Sequence, residues 1–267
     1  MDLKTHPIKT RSLPGVGAER AHWRIRDTKR IATIITSNWR EDSRLTSGYA
    51  ALKSKLIVDL GARHKQVGWK LGFGSPTGLR NLEIDAPLAG YLLAEHALPN
   101  GARVDISSWV KPVGETEIAL YFGRDVPPGS STGFVMDSVT AVGPAIELAD
   151  LEFAPTDPTK ILATDIFQKN YILGARDESS RAGDISGLVA QITMPNGHEV
   201  VVTELEELTG KIPSIATHCA EVVGELSGGI KNGEFLIIGS IVPPIALTTG
   251  DHFKYALGKF PPLTVSF

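Results

Sequence analysis

Glu115 and Glu117, in the run GETEIALYFG, and Glu147, in VGPAIELAD, stand inside segments that otherwise read as buried β-structure. A carboxylate in such a place is costly unless something pairs with it. The simplest partner for three converging carboxylates is a hard divalent cation, which takes oxygen ligands and keeps open positions for a substrate. Strand parity supports convergence, because residues two apart project from the same face. Glu115 and Glu117 then point one way while Thr116, Ile118 and Leu120 point the other. Glu147 shares its face with Ala145 and Ala149, whose small side chains leave room beside it. An E-x-E pair alone would equally suit a solvated strand; Glu147 does not, since its run is apolar on both sides.

Lys70 is the fourth residue of interest. In VGWKLGF, Val67, Trp69, Leu71 and Phe73 make an apolar face, and Lys70 lies on the other between Gly68 and Gly72. Two glycines beside an ammonium leave the space an approaching ligand requires, although a lysine on the wet face of a strand would look the same. Asp85, before Ala86-Pro87, reads first as an Asx turn. The glycine-rich segment Gly72–Gly78 lacks both the G-x-G-x-x-G spacing and a helix signal after it, which excludes a dinucleotide fingerprint. The seven histidines show no H-E-x-x-H or other ligand spacing. His218 and Cys219 are neighbours on a helix and face about 100° apart, so they are not a nucleophile pair. The run ELEEL (204–208) reads as a solvated helix or turn face, and no G-x-S-x-G elbow occurs.

These residues need strands to hold them, and the chain supplies the pattern. Two helical periodicities come first, through Ile31, Ile34, Ile35 and Trp39 and then through Leu45, Tyr49, Leu52, Leu56 and Leu60, with a stop at Gly61. Short β-like runs follow at Val67–Phe73, Gly90–Leu93, Glu115–Phe122, Val139–Leu148, Tyr171–Gly174, Leu188–Met194, Phe235–Ile238 and Leu263–Phe267. One later helix is expected from an N-cap at Ser214, with Ile215, Cys219, Val222, Val223 and Leu226 as its stripe and Gly228-Gly229 as its end. The expectation is a helical N-terminal section, residues 1–65, and a β-rich core, residues 66–267.

Composition narrows the class. The 267 residues are 42% hydrophobic and 21% charged, as in ordinary soluble globular proteins, and the net charge of −3 gives no general attraction to nucleic acid or acidic lipid. The basic stretch Arg20–Arg30 is local and partly balanced by Asp27 and Glu19. A single cysteine excludes an internal disulfide framework and fits a reducing compartment. The first residues have no apolar leader-like run, and the apolar stretch Phe235–Leu247 is too short to span a membrane. A cytoplasmic location with no nucleic-acid or membrane partner is the expectation.

The order of motifs then becomes informative. G-x-K-x-G at Gly68–Gly72 is followed by D-x-P at Asp85–Pro87, E-x-E-I-A at Glu115–Ala119, G-R-D at Gly123–Asp125 and A-I-E at Ala145–Glu147. I-K-N-G-E with a G-S turn (Ile230–Ser240) and T-G-D before the terminal T-V-S-F complete the set. No one motif is specific; the order resembles the 2-keto-4-pentenoate hydratase and 4-oxalocrotonate decarboxylase group of the fumarylacetoacetate hydrolase superfamily. The resemblance implies an α+β fold with a mixed β-barrel-like core behind the helical N-terminal section. It also implies Mg²⁺ or Mn²⁺ held by Glu115, Glu117 and Glu147, with Lys70 and Asp85 in the positions of the family's catalytic lysine and aspartate.

The chemistry implied is enolisation of a 2-oxo acid chelated to the cation, followed by hydration of a 2-oxo-4-enoic acid in aromatic catabolism. Gly72, Ser75, Gln168 and Lys169 are the candidate substrate contacts. One segment departs from the family: Phe167 and Gln168 stand where small hydroxyl residues are usual, which bears on the substrate and leaves the metal ligands untouched. A 4-oxalocrotonate-type decarboxylase would need a further cation, with Arg80 or Lys169 as candidates. A diketo-acid hydrolase would need a water-activating His–Glu pair that the sequence does not offer. A non-catalytic metal-binding partner subunit is the reading of a different class. The resemblance further implies a homo-oligomer, and association with a decarboxylase or hydratase of the same pathway.

Overall fold

The computed structural model describes residues 38–179 and 181–267. The periodicity at Ile31–Ile35 and the basic stretch Arg20–Arg30 lie outside the described residues. Helix α1 (Ser43–Gly61) opens on Asp42, whose side chain accepts from the Arg44 amide at 2.9 Å. It buries Leu45, Tyr49, Leu52 and Leu56, as the spacing requires. Leu60, expected on the same stripe, is instead 48% exposed, beside exposed Ile57 and Val58.

Then come β1 (Gln66–Gly72), α2 (Pro76–Leu82), β2 (Leu88–Leu93), β3 (Ala97–Leu98) and β4 (Pro112–Phe122). They are followed by α3 (Thr132–Asp137), β5 (Val139–Asp150), α4 (Pro158–Ala163), β6 (Gln168–Leu173), β7 (Ala190–Thr193) and β8 (Glu199–Val202). The chain closes with α5 (Ile212–Ser227), β9 (Phe235–Ile237), β10 (Ile245–Ala246), β11 (His252–Leu257) and β12 (Leu263–Ser266). The large mixed sheet runs β2-β1-β9-β4-β5-β6-β3, with β10 also on β4, and a second sheet runs β12-β11-β7-β8. Two short strands, β3 and β10, and the pair β8 and β11 are additions to the sequence reading.

Register fixes what can meet on the large sheet. One row reads Gly90, Lys70, Ile237 and Ala119 across β2, β1, β9 and β4. Two residues along β4, Glu117 pairs with Ala145, and Glu115 pairs with Glu147, which pairs in turn with Tyr171. Trp69, Leu71, Ile118, Leu120, Ile146 and Leu148 join the main core, together with residues of α1 and α5. Leu92, Ala119, Ala145, Tyr171, Phe235 and Ile237 form a smaller cluster on the opposite face, beside the glutamates.

Helix α5 begins earlier than expected. Lys211, not Ser214, is its N-cap residue and makes no side-chain cap. Glu206 from the ELEEL turn takes that role, its Oε1 accepting from the Ile212 amide at 2.8 Å. Gly228 ends the helix at φ 79°, a left-handed position that glycine adopts without strain. The glycine-rich segment also runs into a helix the sequence reading did not anticipate: Ser75 N-caps α2, its Oγ accepting from the Gly78 amide at 3.0 Å.

Candidate metal centre

Carboxylate oxygens of Glu115, Glu117 and Glu147 lie within 4.8 Å of one another. The antiparallel pairing of β4 with β5 brings them together, since Glu115 sits opposite Glu147 and Glu117 is one repeat further on the same face. Glu117 and Glu147 are buried, whereas Glu115 stands at the partly exposed side. Glu117 Oε2 accepts from the Gly239 amide at 2.7 Å, and no donor reaches its buried Oε1. Three acids in so little space cannot all ionise freely. Burial, then the Glu147 and Glu115 charges, hold the Glu117 pKa well above the carboxylate range. Burial, then Glu147, push Glu115 up to about 7. Such a donor set fits a hard divalent cation: oxygen ligands, an orphaned buried oxygen and excess negative charge.

Lys70 is buried and donates to Glu147 Oε1 and, at 3.2 Å, to the Ile166 carbonyl. Burial works against its charge, but Glu147, Asp165 and Glu115 together hold its pKa above the ordinary lysine value. The glycines around it act differently from the expectation. A Cβ on Gly68 would lie 2.8 Å from the Phe235 ring, and one on Gly72 would lie 2.8 Å from Ile166 Cγ2. The cleared space is therefore taken up by protein packing.

Asp85 stays apart from this cluster, exposed in the turn between α2 and β2. On the Lys70 side of the sheet a further buried acid, Asp165, 4% exposed, is one that sequence reasoning missed. Its Oδ1 accepts from the Tyr91 amide at 3.0 Å. Burial pushes its pKa up to about 8, against the pull of the Lys70 charge. Asp165, Ile166 and Phe167 all have left-handed φ values of 54°, 55° and 61°. Each such residue costs roughly 1–2 kcal/mol outside glycine, with Asp among the better tolerated. The turn persists because its amides are used: Asp165 to the Leu162 carbonyl at 3.0 Å and Ile166 to the Ile161 carbonyl at 2.9 Å. A run of D-I-F after a short helix carried no glycine to announce it.

The remaining candidates divide. Ser75 caps α2, Gly72 is packed under Ile166, and Lys169 pairs with Glu152. Phe167 is buried against Phe153, ring centroids 4.6 Å apart. Gln168 is buried with its Oε1 2.7 Å from His96 Nδ1, and its Nε2 has no partner.

No protein-family model matches the chain. A 4-oxalocrotonate decarboxylase from Pseudomonas putida is 27% identical over 192 residues, covering 71% of this chain and 72% of that protein. 2-Keto-4-pentenoate hydratase 2 from Dechloromonas aromatica (strain RCB) is 26% identical over 220 residues, covering 79% and 81%. Its homologues are 2-keto-4-pentenoate hydratases and 4-oxalocrotonate decarboxylases. The structure of 4-oxalocrotonate decarboxylase from Pseudomonas putida G7, complexed with magnesium and adipate, superposes with a TM-score of 0.75 at 21% identity, covering 86% of this chain and 88% of that one. That likeness establishes the fold class, an α+β protein built on a mixed, curled sheet. Among the described residues, no helix is long and apolar enough to cross a membrane.

Proposed function

We propose that the chain is a divalent-metal-dependent lyase acting on a 2-oxo acid, and that its reaction is hydration of a 2-oxo-4-enoate. The observation that carries this reading is the cluster of three carboxylates within 4.8 Å, two of them buried, with a lysine beside them. Glu115, Glu117 and Glu147 would hold Mg²⁺ or Mn²⁺, and when bound the cation supplies Lewis-acid stabilisation to the oxygens of the 2-oxo acid. Lys70 donates a hydrogen bond to the substrate's carboxylate or oxyanion in a water-poor setting, where such a contact is strong. Gln168 offers its uncommitted Nε2–H to the far end of the substrate.

The hydratase reading is favoured over the decarboxylase reading by the cations. A dicarboxylate needs a second positive contact, and Lys169 is paired with Glu152 while Arg80 donates to Thr77 Oγ1 on the exposed side of α2. The proposal extends to assembly as a homo-oligomer, which exposed Ile57, Val58 and Leu60 on α1 favour; light scattering reads it.

Calorimetric titration with Mg²⁺ and Mn²⁺, with and without oxalate, tests the centre. Oxalate binding that depends on the metal is expected, because oxalate mimics the chelating end of a 2-oxo acid. Absence of metal binding would defeat the proposal. Incubation with a 2-oxo-4-enoate, followed by loss of the absorbance of its conjugated dienol form, reads hydration, and incubation with a 2-oxo-enedioate, followed by CO₂ release, reads the decarboxylase. The acid/base role implied for Asp85 is checked by Asp85→Asn, expected to lower turnover at unchanged metal affinity.

A further inference from the structure

We propose that Asp165 is a positioning residue for Lys70, the second anion that holds the ammonium when a divalent cation takes the carboxylate of Glu147. This inference rests on the metal reading above. Lys70 is committed to Glu147, one of the three candidate ligands, so a cation arriving at Glu147 displaces the ammonium's main partner. The lysine is buried, and a buried ammonium without an anionic neighbour is costly, so another anion is needed to keep it in place.

Asp165 is built to be that anion. A side chain on Gly90 would stand 2.5 Å from Asp165 Oδ1 and 3.2 Å from Lys70 Cγ, so the missing Cβ at Gly90 is what lets the carboxylate come alongside the lysine stem. Gly90 is the register partner of Lys70 on β2, which fixes this juxtaposition. The Tyr91 amide anchors Oδ1. The left-handed turn 165–167 also brings the Ile166 carbonyl to Nζ at 3.2 Å, a second contact beside Glu147. Mutual attraction of Lys70 and Asp165 is also the largest influence opposing burial at Asp165.

The test is a double-mutant cycle read by Mn²⁺ calorimetry, without reference to turnover. Asp165→Asn keeps the Tyr91 hydrogen bond and a residue suited to left-handed φ. With the aspartate gone, Glu147 is the anion Lys70 still contacts and the ammonium competes there with the metal, so affinity is expected to fall about tenfold. In a Lys70→Met background the same substitution is expected to cost clearly less. An equal loss in both backgrounds, the outcome of a direct charge effect or of misfolding, overturns the inference, as does no loss in either. Should Asp165→Asn fail to fold, Gly90→Ala drives a methyl against Asp165 Oδ1 and carries the same expectation. A wild-type chain that binds no Mn²⁺ overturns the metal centre itself, a result distinct from any pattern within the cycle.

Discussion

Along β4 and β5, side chains one residue apart meet opposite surroundings. Ile118, Leu120, Ile146 and Leu148 are fully buried in the main core, where each side chain removed from water stabilises the fold by about 1.5–3 kcal/mol. On the other face of the same strands Glu117 and Glu147 are equally dry, and there burial opposes the charge. The backbone is shared and the dehydration is similar. What differs is whether the buried group needs a partner. The apolar face is complete within the described residues, whereas the glutamate face sets three acids beside one lysine among them and would reach balance with the cation proposed above.

Substitutions on each face sharpen the contrast. Ile146→Ala, which empties a fully buried site, is expected to cost about 2–5 kcal/mol in urea unfolding and to leave Mn²⁺ affinity unchanged. Loss of metal binding there would break the separation of the faces. Glu147→Gln, and likewise Glu115→Gln, should do the reverse, lowering metal affinity about a hundredfold or more, with activity following. Activity intact after both substitutions would remove the metal assignment.

His218, on the α5 side, links the packed layer to pH. Its Nε2 lies 2.8 Å from the Pro87 carbonyl, its Nδ1 has no partner, and burial lowers its pKa to about 4 from 6.5. Between those values the unfolded chain takes up a proton that the folded chain refuses. The stability is therefore fully present above pH 6.5 and is lost as pH falls, by about 2 kcal/mol at pH 5. Urea unfolding at pH 7 and pH 5 should show a smaller acid loss in His218→Gln than in the wild type; equal losses would place the acid sensitivity elsewhere.

The smallest effect is expected on the glutamate face. Without added metal, Glu117→Gln should stabilise the protein by about 1 kcal/mol, raising Tm by roughly 2–4 °C, while weakening Mn²⁺ binding. A lower Tm would mean that the acid is satisfied without a cation.

The glutamates were legible because they break an apolar pattern: a strand with period two assigns each residue a face, and pairing of adjacent β-runs does the rest. Lys70 stood out only by its flanking glycines and fitted a wet strand face equally well; its burial comes from strands β2 and β9 on either side of β1. The role of those glycines was not legible, because Phe235 and Ile166 fill the space from segments far away in sequence. Asp165 was hidden by backbone conformation, as three consecutive left-handed residues without a glycine leave no compositional trace. Among elements, β1, β2, β4, β5 and α5 followed from periodicity. The two-residue β3 and β10 are set by tertiary pairing, and α2, α3 and α4 are too short for a stripe to show. Ser214 was a plausible cap on local grounds, but Glu206 reached the helix end from the preceding turn.

The strand order carries a consequence for how the protein is made. Lys70 on β1 and the glutamates on β4 and β5 are joined in the sheet through β9, residues Phe235–Ile237. On the ribosome, the lysine and all three acids have been translated long before the strand that seats β1 beside β4 appears. For the time needed to add those further residues, at about 5–20 per second, the nascent chain carries the candidate ligands without the complete sheet. The seating of Lys70 beside the paired glutamates thus waits for a three-residue strand translated after all of them.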